Sequence, residues 1–252
     1  MTLPISAVTQ DLVCYADTPR VDFHTLVNWN SPHRLLKVGF DLDIAASRAR
    51  SEIQFGSIER PTTANNSLEL AKFEVCNRNF TDVSEPRFGA AVLNDCKYGI
   101  AVTDCNLRLS LHRGGTHPDG TGDRGLHEMT YALLPHAGDF CAETVVHPAY
   151  MLNVPVVAAG GAADAAPFLT IDAPNVIAEA VKPAEDDSGA VVLRLYECEG
   201  SKTQTTVALS LPVKQAILTN LLEDAQADLP LQNGKLALTF SPFEVKTIKL
   251  IS

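Results

Sequence analysis

No run of eighteen apolar residues occurs in the 252-residue chain, so no stretch reads as a membrane-crossing helix. The opening Met1-Thr2-Leu3-Pro4-Ile5-Ser6 lacks the basic start and long apolar core of a secretory signal, and no signal peptide is expected. Basic residues are the minority, 20 against 30 acidic, and the formal charge of −10 disfavours capture of nucleic acid or of an anionic membrane surface. The six cysteines (Cys14, Cys76, Cys96, Cys105, Cys141 and Cys198) include no C-x-x-C pair and no metal-ligand spacing. That spacing does not suggest a disulfide scaffold and disfavours a thiolate zinc site. In strand-like runs such as Val75-Cys76 and Tyr196-Glu197-Cys198, a thiol serves as a small apolar core residue, and a reducing cytoplasm is the expected location. Sustained helical periodicity is also scarce. Its best short candidates are residues 212–223 and the alanine-rich 158–166, and no internal repeat is visible.

What the chain has is alternation. Val21, Phe23, Thr25, Val27 and Trp29 share one parity, as do Leu36, Val38, Phe40, Leu42 and Ile44, then Leu107, Leu109 and Leu111, then Met129, Tyr131 and Leu133. A period of two over such runs predicts half-buried antiparallel strands. Turn-forming clusters separate them, among them Asn65-Asn66-Ser67, Gly114-Gly115-Thr116-His117-Pro118-Asp119-Gly120 and Asp186-Asp187-Ser188-Gly189. The fold class expected is all-β. Small residues crowd positions 154–167 and carry little packing volume, which predicts a linker at 156–166 between a large β domain at 1–155 and a small one at 167–252. After it, six or seven shorter strands fit a compact sandwich.

Polar clusters close several of the alternating runs. Phe55-Gly56-Ser57-Ile58-Glu59-Arg60-Pro61-Thr62 is followed by Phe73-Glu74-Val75-Cys76-Asn77-Arg78, Leu93-Asn94-Asp95-Cys96-Lys97-Tyr98-Gly99, Asp123-Arg124-Gly125-Leu126-His127-Glu128 and Tyr131-Ala132-Leu133-Leu134-Pro135-His136. With Val27-Asn28-Trp29 before them and Pro242-Phe243-Glu244-Val245-Lys246-Thr247 after, these segments resemble, in order, the C-terminal β region of the family 38 glycoside hydrolases, the retaining α-mannosidases. The flavour is closest to the bacterial and cytosolic branch. One departure is Asn28, where the resemblance leads one to expect Asp. The resemblance implies an antiparallel supersandwich like that of galactose mutarotases, followed by a small β-sandwich.

It also implies a parent enzyme in which a zinc ion bridges vicinal sugar hydroxyls while one carboxylate attacks the anomeric carbon and another protonates the leaving oxygen. The family's zinc ligands and catalytic carboxylates lie in an N-terminal domain and match no position here. No catalytic residue, metal ligand or cofactor is therefore assigned to this chain, and zinc is expected only in the parent's catalytic domain. In several members an arginine of a comparable loop reaches the substrate cleft, so Asp123, Arg124 and His127 are the expected substrate-binding residues. A guanidinium fork suits paired sugar hydroxyls or a carboxylate. The plainer alternative is an Asp123–Arg124 surface pair that shapes the loop. His112, His127 and His136 could gather at one sheet end around a metal or a sugar. Their spacing matches no metal-ligand pattern, and hydrogen-bonded strand-end histidines are the preferred reading. Asn94-Asp95 is read as a hairpin turn before a sugar contact, Trp29 as core before a stacking platform, and Glu59-Arg60-Pro61 as an ion-paired strand end.

The function expected is thus the noncatalytic C-terminal part of an α-mannosidase, inactive alone. It would buttress the catalytic domain of a homo-oligomeric parent and lend a loop to a cleft for mannose-containing oligosaccharides. A free-standing carbohydrate-binding β module is the alternative, and a mutarotase-type isomerase using histidine and carboxylate acid–base chemistry is a third.

Overall fold

The computed structural model describes residues 5–158, 160–161 and 167–252. The chain divides into two compact units, one of residues 1–54 and 58–156, the other of residues 55–57 and 157–252. Of the expected linker, residues 159 and 162–166 lie outside the described residues, as does most of the alanine-rich 158–166 helix candidate.

The first unit holds β1 (Ala7–Cys14), β2 (Val21–Trp29), β3 (Leu35–Asp41), β4 (Arg48–Ile53), β5 (Gly56–Pro61), β6 (Val75–Cys76), β7 (Phe80–Glu85), β8 (Phe88–Asn94), β9 (Gly99–Thr103), β10 (Asn106–Arg113) and β11 (Gly125–Ala137). Seven of them form an antiparallel sheet in the order β1-β2-β11-β8-β7-β4-β5, and four form a second in the order β3-β10-β9-β6. The inward parity predicted from alternation is the one that packs. Val27 and Trp29, Met129 and Tyr131, and Ala90 and Val92 from the large sheet meet Ile100, Leu107, Leu109 and Leu111 from the small one. Each Val, Ile, Leu or Met among them, fully buried, contributes about 1.5–3 kcal/mol. β1 was not anticipated; it extends the sheet beyond β2 and pairs with it along its whole length.

The large sheet is covered on its other face as well. Phe80, Ala91, Leu93, Ala132 and Leu134 point there, under a π-helical turn (Ala142–Val146) that runs on into a helix (His147–Asn153). Ala142, Val145, Val146 and Ala149 are its buried face. This double burial explains why β8 reads as the continuous Ala90-Ala91-Val92-Leu93 rather than alternating. Charged groups on the covered face are matched. Asp22 takes two hydrogen bonds from the Arg20 guanidinium (2.7 and 3.0 Å) and one from the Tyr15 hydroxyl (2.8 Å), and Arg20 also donates to the Pro148 carbonyl (3.3 Å). Asp82 accepts from His136 Nε2 at 2.8 Å and from the Ser84 hydroxyl at 2.5 Å.

The second unit contains β12 (Leu169–Ile171), β13 (Val176–Pro183), β14 (Val191–Glu197), β15 (Thr203–Leu209), β16 (Gln215–Thr219), β17 (Ala225–Leu229), β18 (Leu231–Gln232), β19 (Lys235–Phe240) and β20 (Val245–Ile251). They make a sandwich of one sheet ordered β12-β15-β19-β18 and one ordered β13-β14-β20-β16-β17, around Leu193, Leu195, Val207, Leu236, Phe240 and Ile248. The helix candidate at 212–223 is corrected: β16 pairs with β20 there, and the Asn220 side chain accepts from the Leu222 and Asp224 N–H groups to make a turn. Glu197, fully buried, is the organising anion of this unit. Its carboxylate accepts from the N–H groups of Glu199 (2.8 Å), Gly200 (2.8 Å), Ser201 (3.0 Å) and Phe243 (3.0 Å), and from the Asn175 amide (2.9 Å).

Glu197→Gln replaces one acceptor oxygen with a donor that faces N–H groups. Urea unfolding should report a loss of about 2–3 kcal/mol, and a loss below about 0.5 kcal/mol would refute the anchoring role. At His136, burial pushes the imidazole pKa down, but the Asp82 hydrogen bond and charge outweigh it, leaving the value raised. A raised folded value means that the stabilisation is complete below the unfolded pKa of about 6.5 and fades as pH rises through the folded pKa. Asp82→Ala should cost about 3 kcal/mol at pH 6, and the gap in Tm between wild type and variant should narrow toward pH 9. A gap independent of pH would contradict the pairing.

Candidate functional site

A β-bulge sets the chemistry at one end of the first unit. β10 pairs regularly with β3 up to Ser110, then the register slips before His112. The slip turns Leu111 and His112 both inward, where strict alternation would expose one of them. His112 lies against Trp29, ring centroids 4.9 Å apart, and against His127 on the neighbouring β11 at 4.2 Å. Trp29 is core, as its parity predicts. Burial lowers the His112 pKa, the nearby His127 lowers it further, and the imidazole is neutral at neutral pH.

The loop that leads from β10 to β11 is anchored at both ends. Gly114 exchanges backbone hydrogen bonds with the strand opposite, donating to the Arg34 carbonyl and accepting from the His33 N–H, each at 2.8 Å. Asp119 accepts from the Thr121 N–H (2.9 Å) and hydroxyl (2.8 Å), which holds its carboxyl below the usual range. Gly122 has φ of +57°, and a Cβ there would overlap the Gly115 carbonyl oxygen, so glycine is required. At the far end His127 Nε2 donates to the Asp123 carbonyl at 2.8 Å.

The three expected site residues are adjacent on this loop, in different roles. His127 is half-buried and fastens the backbone at Asp123, whereas the side chains of Asp123 and Arg124 are exposed. Neither makes a hydrogen bond or ion pair with another described residue, so the surface-pair alternative, in which they bind each other, is not what forms. Residues not singled out from the sequence share this end. His33, Arg34, Arg113 and His117 line an open hollow of about 400 Å³ at the root of the loop. A basic residue directly before the glycine pair, as in Arg113-Gly114-Gly115, was the available signal.

The three histidines do not gather. His112 and His127 touch, but His136 sits nine residues along β11 from His127, about 30 Å at strand rise, bound to Asp82. Among the described residues no three His, Cys, Asp or Glu side chains converge as metal ligands, so these residues do not fit a zinc site. Asn94 and Asp95 organise a turn, but not a hairpin: they join β8 to β9, which lie in different sheets. The buried Asn94 side chain accepts from the Lys97 N–H and donates to Asn77 Oδ1 and the Arg78 carbonyl, while Asp95 accepts from the Thr130 N–H. Glu59 is ion-paired as expected, to Arg48 and Arg50.

An NMR titration should place the His112 midpoint below the ordinary histidine value of about 6.5. His127→Ala should raise it, because a neighbouring positive charge is removed and the ring gains solvent. A midpoint that stays put would break the link between the two rings.

The family model for the glycosyl hydrolases family 38 C-terminal domain matches residues 2–121, and that for the family 38 C-terminal beta sandwich domain matches residues 175–248. Human alpha-mannosidase 2C1 is 44% identical over 256 residues, covering 98% of this chain and 25% of the relative. Alpha-mannosidase G of Dictyostelium discoideum is 38% identical, covering 98% and 24%, and the alpha-mannosidase of Saccharomyces cerevisiae is 34% identical, covering 88% and 22%. The crystal structure of an alpha-mannosidase from Enterococcus faecalis shares the fold with a TM-score of 0.79 at 19% identity, covering 96% of this chain and 28% of that one. The chain spans about a quarter of the length of the curated relatives it matches. Matched in both units by models of its C-terminal domains, the chain belongs to glycoside hydrolase family 38.

Proposed function

We propose that this chain is the noncatalytic part of a larger enzyme that hydrolyses terminal α-mannosides with retention. In it the two sandwiches buttress the catalytic domain, and the 114–124 loop extends into the substrate cleft. The observation that carries this reading is the pairing of family membership with a loop tied at Gly114, at the 119–122 turn and at the Asp123 carbonyl while the side chains of Asp123 and Arg124 remain uncommitted. A rigid frame that presents a free guanidinium is what recognition of sugar hydroxyls requires. Zinc and the reacting carboxylates belong to the catalytic domain in this reading, and no step of the hydrolysis is placed on the present residues. All six thiols are free, which supports a cytoplasmic enzyme, and among the described residues no helix is long and apolar enough to cross a membrane. Assembly of the parent into a homo-oligomer is part of the same proposal.

The 252-residue chain alone, with or without zinc, is expected to leave an aryl α-mannoside intact, and turnover would overturn the noncatalytic role. In the complete enzyme, Arg124→Ala should lower kcat/KM about 10- to 100-fold, the worth of one or two charge-assisted hydrogen bonds, without changing Tm. An unchanged kcat/KM would remove the loop from the cleft. Saturable mannose binding by the isolated chain would instead favour a carbohydrate-binding module.

A further inference from the structure

A second concave site in the first unit shares no residue with the Asp123 loop and does not depend on the α-mannosidase reading. It is a pocket of about 210 Å³ whose walls include Ala49, Pro61, Leu70, Phe73, Val75 and Val102, with Arg60 among the lining residues. Arg60 comes from the end of β5, and its neighbour Glu59 faces the other way, to Arg48 and Arg50. The Arg60 Nη1 atom is buried and finds no hydrogen-bond partner among the described residues. The residue as a whole is half-buried, and a shielded guanidinium N–H without an acceptor is costly.

The local carboxylates are occupied elsewhere. Glu69 also lines the pocket, but its side chain accepts from the Asn65 N–H at 2.7 Å, within the cap of the one-turn helix Ser67–Leu70. Glu74 is held by Lys37 at 2.8 Å and by the Ser110 hydroxyl. The same short segment leaves large apolar side chains in solvent: Leu68, Leu70 and Phe73 are 76%, 66% and 79% exposed, and the helix buries no residue at all. The combination is a cation lacking its anion, an apolar wall and an apolar rim. Burial also pushes the Arg60 pKa down from its ordinary value, a desolvation that a bound anion would offset.

We infer that this pocket is a carboxylate-binding site, with Arg60 as the charge partner and Leu70, Phe73, Val75 and Val102 receiving an apolar stem. A planar, bidentate guanidinium matches a carboxylate, and the mostly apolar wall selects a stem-bearing acid over inorganic anions. The carboxyl group has two possible sources, a free short-chain organic acid or the acidic side chain of a polypeptide segment laid over the rim.

Isotope-edited NMR of the 252-residue chain separates them, with hexanoate and hexanol as one pair of probes and blocked Leu-Glu-Leu and Leu-Gln-Leu tripeptides as the other. Saturable shifts at Phe73 and at the Arg60 side chain are expected with hexanoate or with the Glu peptide, at least tenfold weaker with the neutral partner of each pair. Hexanoate alone acting assigns a free acid; the Glu peptide alone acting assigns a polypeptide. Arg60→Met should abolish the response while holding or raising Tm, since an unpartnered buried N–H is removed, and Arg60→Lys should weaken it. Two results overturn the site: no saturable response to either acid, or a response that survives in Arg60→Met or equals that of the neutral probes. A Tm lowered by Arg60→Met, with no acid binding in wild type, would make Arg60 a purely structural residue.

Discussion

A sheet buried on both faces constrains everything else in the first unit. With apolar layers on either side of the central strands β7, β8 and β11, a polar group within them has no water to turn to and must bring its own partner. The pairs that result are Asp22 with Arg20 and Tyr15, Asp82 with His136 and Ser84, and Asn94 with Asn77. Arg20 goes further, since its bond to the Pro148 carbonyl ties the covering helix to the strand beneath it. Such pairs fix which helix segment lies over which strands, because a shifted alignment would leave a charge unmatched.

The same rigidity gives the candidate loop its character. It starts one residue after a bulge that has already committed His112 to the core, and it ends where His127 seizes the Asp123 carbonyl. Between those points the Asp119–Thr121 turn and the obligatory glycine at 122 fix the path. Arg124 stands exposed between those ties, beside the Asp123 carbonyl that His127 holds. Behind it His112 lies against Trp29 and His127, where burial holds its pKa below the ordinary histidine value.

Alternation made the larger part of this fold legible, because most strands bury one face and write that fact in every second residue. Val27 and Trp29, or Leu107 and Leu109, could hardly have pointed elsewhere. Where both faces are buried the code is lost, as in β8. Where pairing overrides local preference it misleads: residues 212–223 carry helix-compatible Leu, Ala and Glu, yet β20 recruits Gln215–Thr219 as a strand. The candidate loop was visible as a glycine- and proline-rich turn cluster, and family resemblance directed attention to Asp123, Arg124 and His127. The bulge at His112 and the Asp82–His136 pair were not legible, because both arise from contacts between residues far apart in the chain, 54 positions in the second case.

Satisfied and unsatisfied charges sort into different kinds of residue. Glu197 accepts hydrogen bonds from several backbone N–H groups and never needs a visitor, which makes it architecture. Arg124 is free but solvated, at no cost to the fold until something sugar-like or acidic is offered to it. Arg60 differs from both, being half-buried with one guanidinium nitrogen, Nη1, cut off from water and without a partner among the described residues. What sets its Nη1 apart is its place, on the wall of a pocket whose other walls include Leu70, Phe73, Val75 and Val102, where an incoming acid meets a guanidinium and an apolar surface together.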